Sequence, residues 1–186
     1  MTHYISAEHL TIDRVKEILV KGYNIALSDD AVKRINHCRE YLDKKMENAG
    51  RPIYGVTTGF GSLCNISVDK DNLSQLQKNL MMSHACGTGQ RVPKEIARLM
   101  LLLKVQSLSY GHSGVQLITV QRLVDMFNSN IIPVVYEQGS LGASGDLSPL
   151  AHMCLPLLGL GEVEVDGNII SGEELMQRMG WEPITL

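Results

Sequence analysis

Gly139-Ser140-Leu141-Gly142-Ala143-Ser144-Gly145-Asp146-Leu147-Ser148-Pro149 packs glycines and small residues into a stretch unlike the helical segments around it. Glycine opens backbone conformations and close approaches that other residues resist. A phosphate cradle of the GxxxxGK[ST] kind is absent. Gly142-Ala143-Ser144-Gly145 is also one residue short of the GxSxG serine elbow. The plainest reading is a polar loop leading to a helix capped by Asp146. A second chemistry fits the tripeptide Ala143-Ser144-Gly145 better. In a tight turn the Gly145 amide nitrogen attacks the Ala143 carbonyl carbon, and loss of water closes a five-membered ring. Loss of a second water, from the Ser144 side chain, leaves an exocyclic methylene. The product is 4-methylideneimidazol-5-one, an electrophile that ordinary side chains do not supply. The turn requires strain, which Gly139 and Gly142 make accessible. A helix starting near Asp146 aims its positive end at the ring.

Around this stretch the chain reads as mostly helical. Thr11 caps a short helix carrying Ile12, Val15, Leu19 and Val20. Ser28 with Asp29 and Asp30 starts a second, whose apolar side is Val32, Ile35, Leu42 and Met46 and which stops at Gly50-Arg51-Pro52. A third spans 71–85, with Leu73, Leu76 and Leu80 at helical spacing. Pro93 suits the first turn of a fourth, running to about Tyr110. A fifth covers about Gly114 to Phe127. Ile131 to Val135 is a short strand candidate, and 162–170 reads as a hairpin turning at Asp166-Gly167. His152 and Cys154 read as part of a packed helix and not as a metal site. Gln77 and Asn79 read as structural. A second glycine-rich stretch, Tyr54-Gly55-Val56-Thr57-Thr58-Gly59-Phe60-Gly61-Ser62, lacks the third glycine of a dinucleotide fingerprint.

The composition bounds the class. The chain has 186 residues, 44% hydrophobic and 20% charged, enough for a real core. A formal net charge of −3 argues against a nucleic-acid binder built on phosphate contacts. No apolar run is long enough to span a bilayer, and the N-terminus does not read as a secretory signal. The four cysteines are scattered without a CxxC pair, which fits free thiols in a reducing cytoplasm.

Residues 139–153 resemble the signature of the aromatic amino acid ammonia-lyase and aminomutase family. Tyr54 to Gly61 resembles that family's tyrosine loop, and Leu76-Gln77-Lys78-Asn79-Leu80-Met81-Met82-Ser83-His84-Ala85-Cys86-Gly87-Thr88-Gly89 its substrate-selectivity helix. The resemblance implies a mainly α fold, the N-terminal helical region of the ammonia-lyase fold, with a few short strands and a small hairpin. It implies that residues 1–186 form a single N-terminal domain, with the central long-helix bundle and the C-terminal part absent. It implies a ring formed autocatalytically from Ala143, Ser144 and Gly145, supported by Gly142 and Asp146, with no external cofactor and no metal. Tyr54 would then be the base that removes a substrate β-proton. Ser83 and His84 match the histidine-specific branch; phenylalanine-specific members resemble Phe-Leu here and tyrosine-specific ones His-Leu. The implied reaction of that branch is deamination of L-histidine to trans-urocanate and ammonia, in a cytoplasmic homotetramer. The alternatives are a tyrosine or phenylalanine ammonia-lyase, an aminomutase, or a truncated, non-catalytic folding or interaction unit. The isolated chain is expected to be inactive and to cyclise poorly.

Overall fold

Thr11 opens the first helix as its side chain predicts: its hydroxyl accepts from the Arg14 amide at 3.2 Å and caps α1 (Ile12–Val20). Ser28 does the same for α2 (Asp29–Glu47), accepting from the Ala31 amide at 3.2 Å. The structure, a computed structural model, describes residues 1–48, 52–61, 64, 66, 68, 72–139 and 147–185. The remaining helices are α3 (Leu73–His84), α4 (Lys94–Ser109), α5 (Leu117–Asn128), α6 (Leu147–Cys154) and α7 (Gly172–Met179). The three central ones, α3 to α5, fall where the sequence places them, with ends shifted by up to three residues. The fold is mainly α with short strands, as expected.

The strands are β1 (Thr2–Ile5), β2 (Asn24–Leu27), β3 (Thr88–Arg91), β4 (Ile132–Pro133), β5 (Tyr136–Gln138), β6 (Glu162–Val165) and β7 (Asn168–Ser171). β6 and β7 form the expected hairpin, with positive φ at both Asp166 and Gly167. That geometry is the tight two-residue turn that Asp-Gly favours. Two strand pairs were not legible in advance. β1 and β2 pair in parallel, Thr2 opposite Asn24 and Ile5 opposite Leu27, with α1 as the connection. β3 and β5 pair antiparallel, yet every residue of β3 is exposed, so no apolar alternation marks it. The helix α7 is a further element the sequence reading does not include, although Ser171 caps it by accepting from the Glu174 amide at 3.1 Å and Leu175, Met176 and Met179 stand at helical spacing.

The chain folds into two compact units, each assembled from separate chain segments: Met1–Leu42 with Pro93–Ile132 and Glu164–Asn168, and Asp43–Val92 with Pro133–Val163 and Ile169–Leu186. In the first, α4 and α5 supply the core: Leu101, Leu102, Val105, Val120, Met126 and Phe127 are fully buried. The Asn128 side chain ends α5 by pairing with both polar groups of Ile25, accepting its N–H at 2.8 Å and donating to its C=O at 2.9 Å. Gln106, buried on α4, donates to the Ser6 carbonyl at 2.8 Å. These amides satisfy main-chain groups that burial would otherwise leave unpaired. In the second unit, α3, α6 and a 3₁₀ turn (Leu155–Leu158) pack together, and the turn ends at Gly159 in the left-handed conformation. All four cysteines are free thiols.

Candidate functional site

The tyrosine loop is built from short polar bonds inside its own sequence. Thr57 turns back on Ile53: its hydroxyl accepts from the Ile53 amide at 2.8 Å, and its amide donates to the Ile53 carbonyl at 2.9 Å. Thr58, fully buried, accepts from the Gly55 amide at 3.2 Å and donates to the Gly59 carbonyl at 3.0 Å. Gly55 has φ +69°, and a Cβ there would lie 2.6 Å from Phe60 Cε1. Glycine is therefore needed twice over, for the conformation and for the ring that closes on it. Tyr54 projects from this turn, 62% exposed, its ring centroid 5.6 Å from that of Phe60.

The helix α3 meets this loop at two points. The Gln77 amide nitrogen donates to the carbonyls of Gly55 and Val56, each at 3.2 Å. Two turns further on, the His84 imidazole stands edge-on to Phe60, with centroids 5.6 Å apart and planes at 84°. His84 Nδ1 lies 2.7 Å from the Leu80 carbonyl. A carbonyl only accepts, so Nδ1 carries the proton, and in the neutral ring Nε2 presents a lone pair. The Ser83 hydroxyl donates to the same carbonyl at 3.1 Å and lies 3.2 Å from Nδ1. Tyr54, Phe60 and His84 thus form one aromatic row, which brings together two of the residues singled out from sequence.

Gly142, Ala143, Ser144, Gly145 and Asp146 lie outside the described residues, but both flanks of that stretch are described. Gly139 has φ +145°, and a Cβ there would stand 2.7 Å from Gly87 Cα and 2.8 Å from Ser148 Oγ. Main chain meets main chain here with no room for a side chain. Gly87 is held in turn by His152, whose Nε2 accepts the Gly87 N–H at 2.9 Å. The His152 ring lies edge-on to Tyr136 at 5.2 Å, and burial pushes its pKa below the usual 6.5, which suits the neutral acceptor. Ser148 is buried, and its hydroxyl has no hydrogen-bond partner among the described residues. An unpaired buried hydroxyl at the first turn of α6 and an all-glycine contact before it suit a polar group made from the main chain between them. Among the described residues, no three His, Cys, Asp or Glu side chains gather as a metal site would require.

The sequence model of the family described as aromatic amino acid lyase matches residues 10–186. The chain belongs to the aromatic amino acid lyase family. Among curated members it is similar to the histidine ammonia-lyase of Caldanaerobacter subterraneus subsp. tengcongensis, 45% identical over 98% of this chain and 36% of that protein. Its fold is similar to the histidine ammonia-lyase of Trypanosoma cruzi, with a TM-score of 0.87 and 36% identity over all of this chain and 36% of the other. Its fold is also similar to the tyrosine aminomutase of Streptomyces globisporus, with a TM-score of 0.91 and 32% identity over all of this chain and 35% of that one. The chain therefore spans about 36% of the length of the curated relative. Within this family framework, sequence reasoning missed the contacts of Gln77, Phe60, Gly87 and His152. One signal was available: Gln77 and His84 are two helical turns apart on α3, which puts them on one face.

Proposed function

We propose that the protein is a histidine ammonia-lyase, converting L-histidine to trans-urocanate and ammonia without oxidation. The observation that carries this reading is the row Tyr54–Phe60–His84, with His84 Nδ1 committed to the Leu80 carbonyl. Nε2 of that ring is left as an acceptor, the complement of an imidazole N–H on the substrate. A phenylalanine ring offers no such donor. The 45% identity to a histidine ammonia-lyase supports the same choice.

The self-formed methylidene-imidazolone of Ala143, Ser144 and Gly145 would supply the electrophilic carbon that engages the substrate amine. Gly142 and Asp146 flank that tripeptide and support its closure. Tyr54 acts as the general base: its oxygen takes the β-proton, and the electron pair left on the β-carbon forms the double bond as the C–N bond to the amine breaks. Ser83 donates to the same Leu80 carbonyl and lies beside His84 Nδ1, as part of the substrate-binding pair. The same reading carries homotetramer assembly and a cytoplasmic location; no helix among the described residues is long and apolar enough to cross a membrane.

Steady-state rates of a full-length version on histidine, tyrosine and phenylalanine, followed by formation of the conjugated product, test the proposal. Histidine is expected to be the fastest substrate, and Tyr54→Phe to lower turnover by about 10²–10⁴. A protein that deaminates tyrosine fastest overturns the assignment. The fold likeness to a tyrosine aminomutase favours a second reading, transfer of the amine to the β-carbon. A β-amino acid product, and no free ammonia, would establish it.

A further inference from the structure

We infer that Gln77 is the positioning residue of Tyr54, an inference that rests on the base role proposed above. Within the turn from Ile53 to Gly59, the amides of Ile53, Gly55, Val56 and Thr57 bond to the Thr57 and Thr58 hydroxyls and the Ile53 carbonyl. It leaves the carbonyls of Gly55 and Val56 pointing at α3. Gln77 meets both with a single amide nitrogen, which carries two hydrogens. The orientation of the amide follows from its partners, because the oxygen in its place would face two acceptors. The Gly55 carbonyl belongs to the residue directly after Tyr54, so the grip acts one residue from the phenol-bearing Cα.

One bond point alone would let the loop swivel. The second point is Phe60 against His84, seven positions along the helix and roughly 10 Å away at the rise of an α-helix. Fastened at both ends, the loop holds Tyr54 at a fixed height along α3 relative to His84. Base and specificity residue are thereby set by the same helix face. No other residue type of this length offers two donors to two carbonyls. Leucine removes both bonds, and glutamate keeps the shape but offers an acceptor at neutral pH.

Hydrogen exchange on the whole protein tests the grip without reference to activity. In Gln77→Leu, the amides of residues 55–58 are expected to lose protection by at least tenfold, while those of α4 keep theirs. In Gln77→Glu the loss is expected near neutrality and is partly regained as the carboxyl takes a proton in acid. Kinetics of the full-length version then test the link to the base. Gln77→Leu is expected to lower kcat, counted per ring-bearing site by mass, by about 10–10², with KM for histidine within about twofold. The penalty should vanish in a Tyr54→Phe background, since a residue acting through Tyr54 has nothing left to position. Unchanged exchange in Gln77→Leu, or a kcat penalty that survives in full beside Tyr54→Phe, overturns the inference. A full-length wild-type protein with no histidine turnover defeats the proposed function instead, and the exchange result still decides whether Gln77 holds the loop.

Discussion

The α4–α5 pair and the tyrosine loop are held by different physics. Along α4 and α5, Leu101, Leu102, Val120, Met126 and Phe127 are fully buried, and apolar area removed from water does most of the holding. Each such side chain contributes about 1.5–3 kcal/mol, with little dependence on direction. The tyrosine loop has little to bury: its shape comes from the Thr57 and Thr58 hydroxyls, the left-handed Gly55 and the Gln77 amide. Those bonds are directional and net only about 1 kcal/mol apiece. The first arrangement supplies stability, and the second supplies position. Damage to the one should therefore be read in global unfolding, and damage to the other in local order and turnover.

The largest expected effect tests the first half of that contrast. Phe127 is fully buried, with the Arg98 guanidinium 4.7 Å over its ring. Phe127→Ala is expected to cost about 3–5 kcal/mol, seen as a lower denaturant midpoint at constant slope. A loss under about 1 kcal/mol would mean that burial does not hold this pair. A smaller effect tests the second half. Gly55→Ala places a Cβ against Phe60 at φ +69°, a strain of roughly 1–3 kcal/mol. It should loosen exchange in residues 53–60 while the slowest amides of α4 stay slow. Equal loosening in both regions would erase the contrast.

The smallest expected effect is on pH dependence. His152 is held below its ordinary 6.5 by burial, and His3 is held low by burial and then by the Arg14 charge. The unfolded chain takes up these protons first, so stability is full above about 6.5 and falls as the pH drops below it. His152→Gln keeps an acceptor for the Gly87 amide and removes one titration. Thermal unfolding from pH 7 to 5 should then show a shallower decline, the remainder belonging to His3. An unchanged slope would remove His152 from the account. Further into acid Glu17, lowered to about 2 by hydrogen bonds from Lys21, Arg14 and Tyr23, adds its own loss between its ordinary 4.5 and that value.

What the sequence showed follows the same division. Helices announce themselves through apolar spacing, as Leu73, Leu76 and Leu80 do on α3, where Leu80 is buried. Caps such as Thr11 and Ser28 are readable because the residue type is itself the signal. β1 and β3 were hidden because four residues with one buried side chain, or with none, carry no alternation. In the candidate site, Tyr54, Ser83 and His84 stood out by motif. The bonds that hold them did not, because Gln77 and His152 act on main-chain groups, and a carbonyl or an amide has no letter in the sequence. His152 does lie in a helix, α6, as its sequence setting implies. Its partner, the Gly87 amide, is visible only once the chain has folded.

The Gly87–Gly139 contact also has a meaning in time. Its two residues are distant along the chain and meet only when β3 pairs with β5 and α6 swings His152 onto Gly87. Contacts of that separation close late, after local helices have formed. The Gly139 flank of residues 140–146 thus rests on a junction made only in the folded unit. On the proposed function, closure of the Ala143-Ser144-Gly145 ring would be sequenced behind that folding, and a misfolded copy would carry the unreacted tripeptide as a mass-detectable record of its failure.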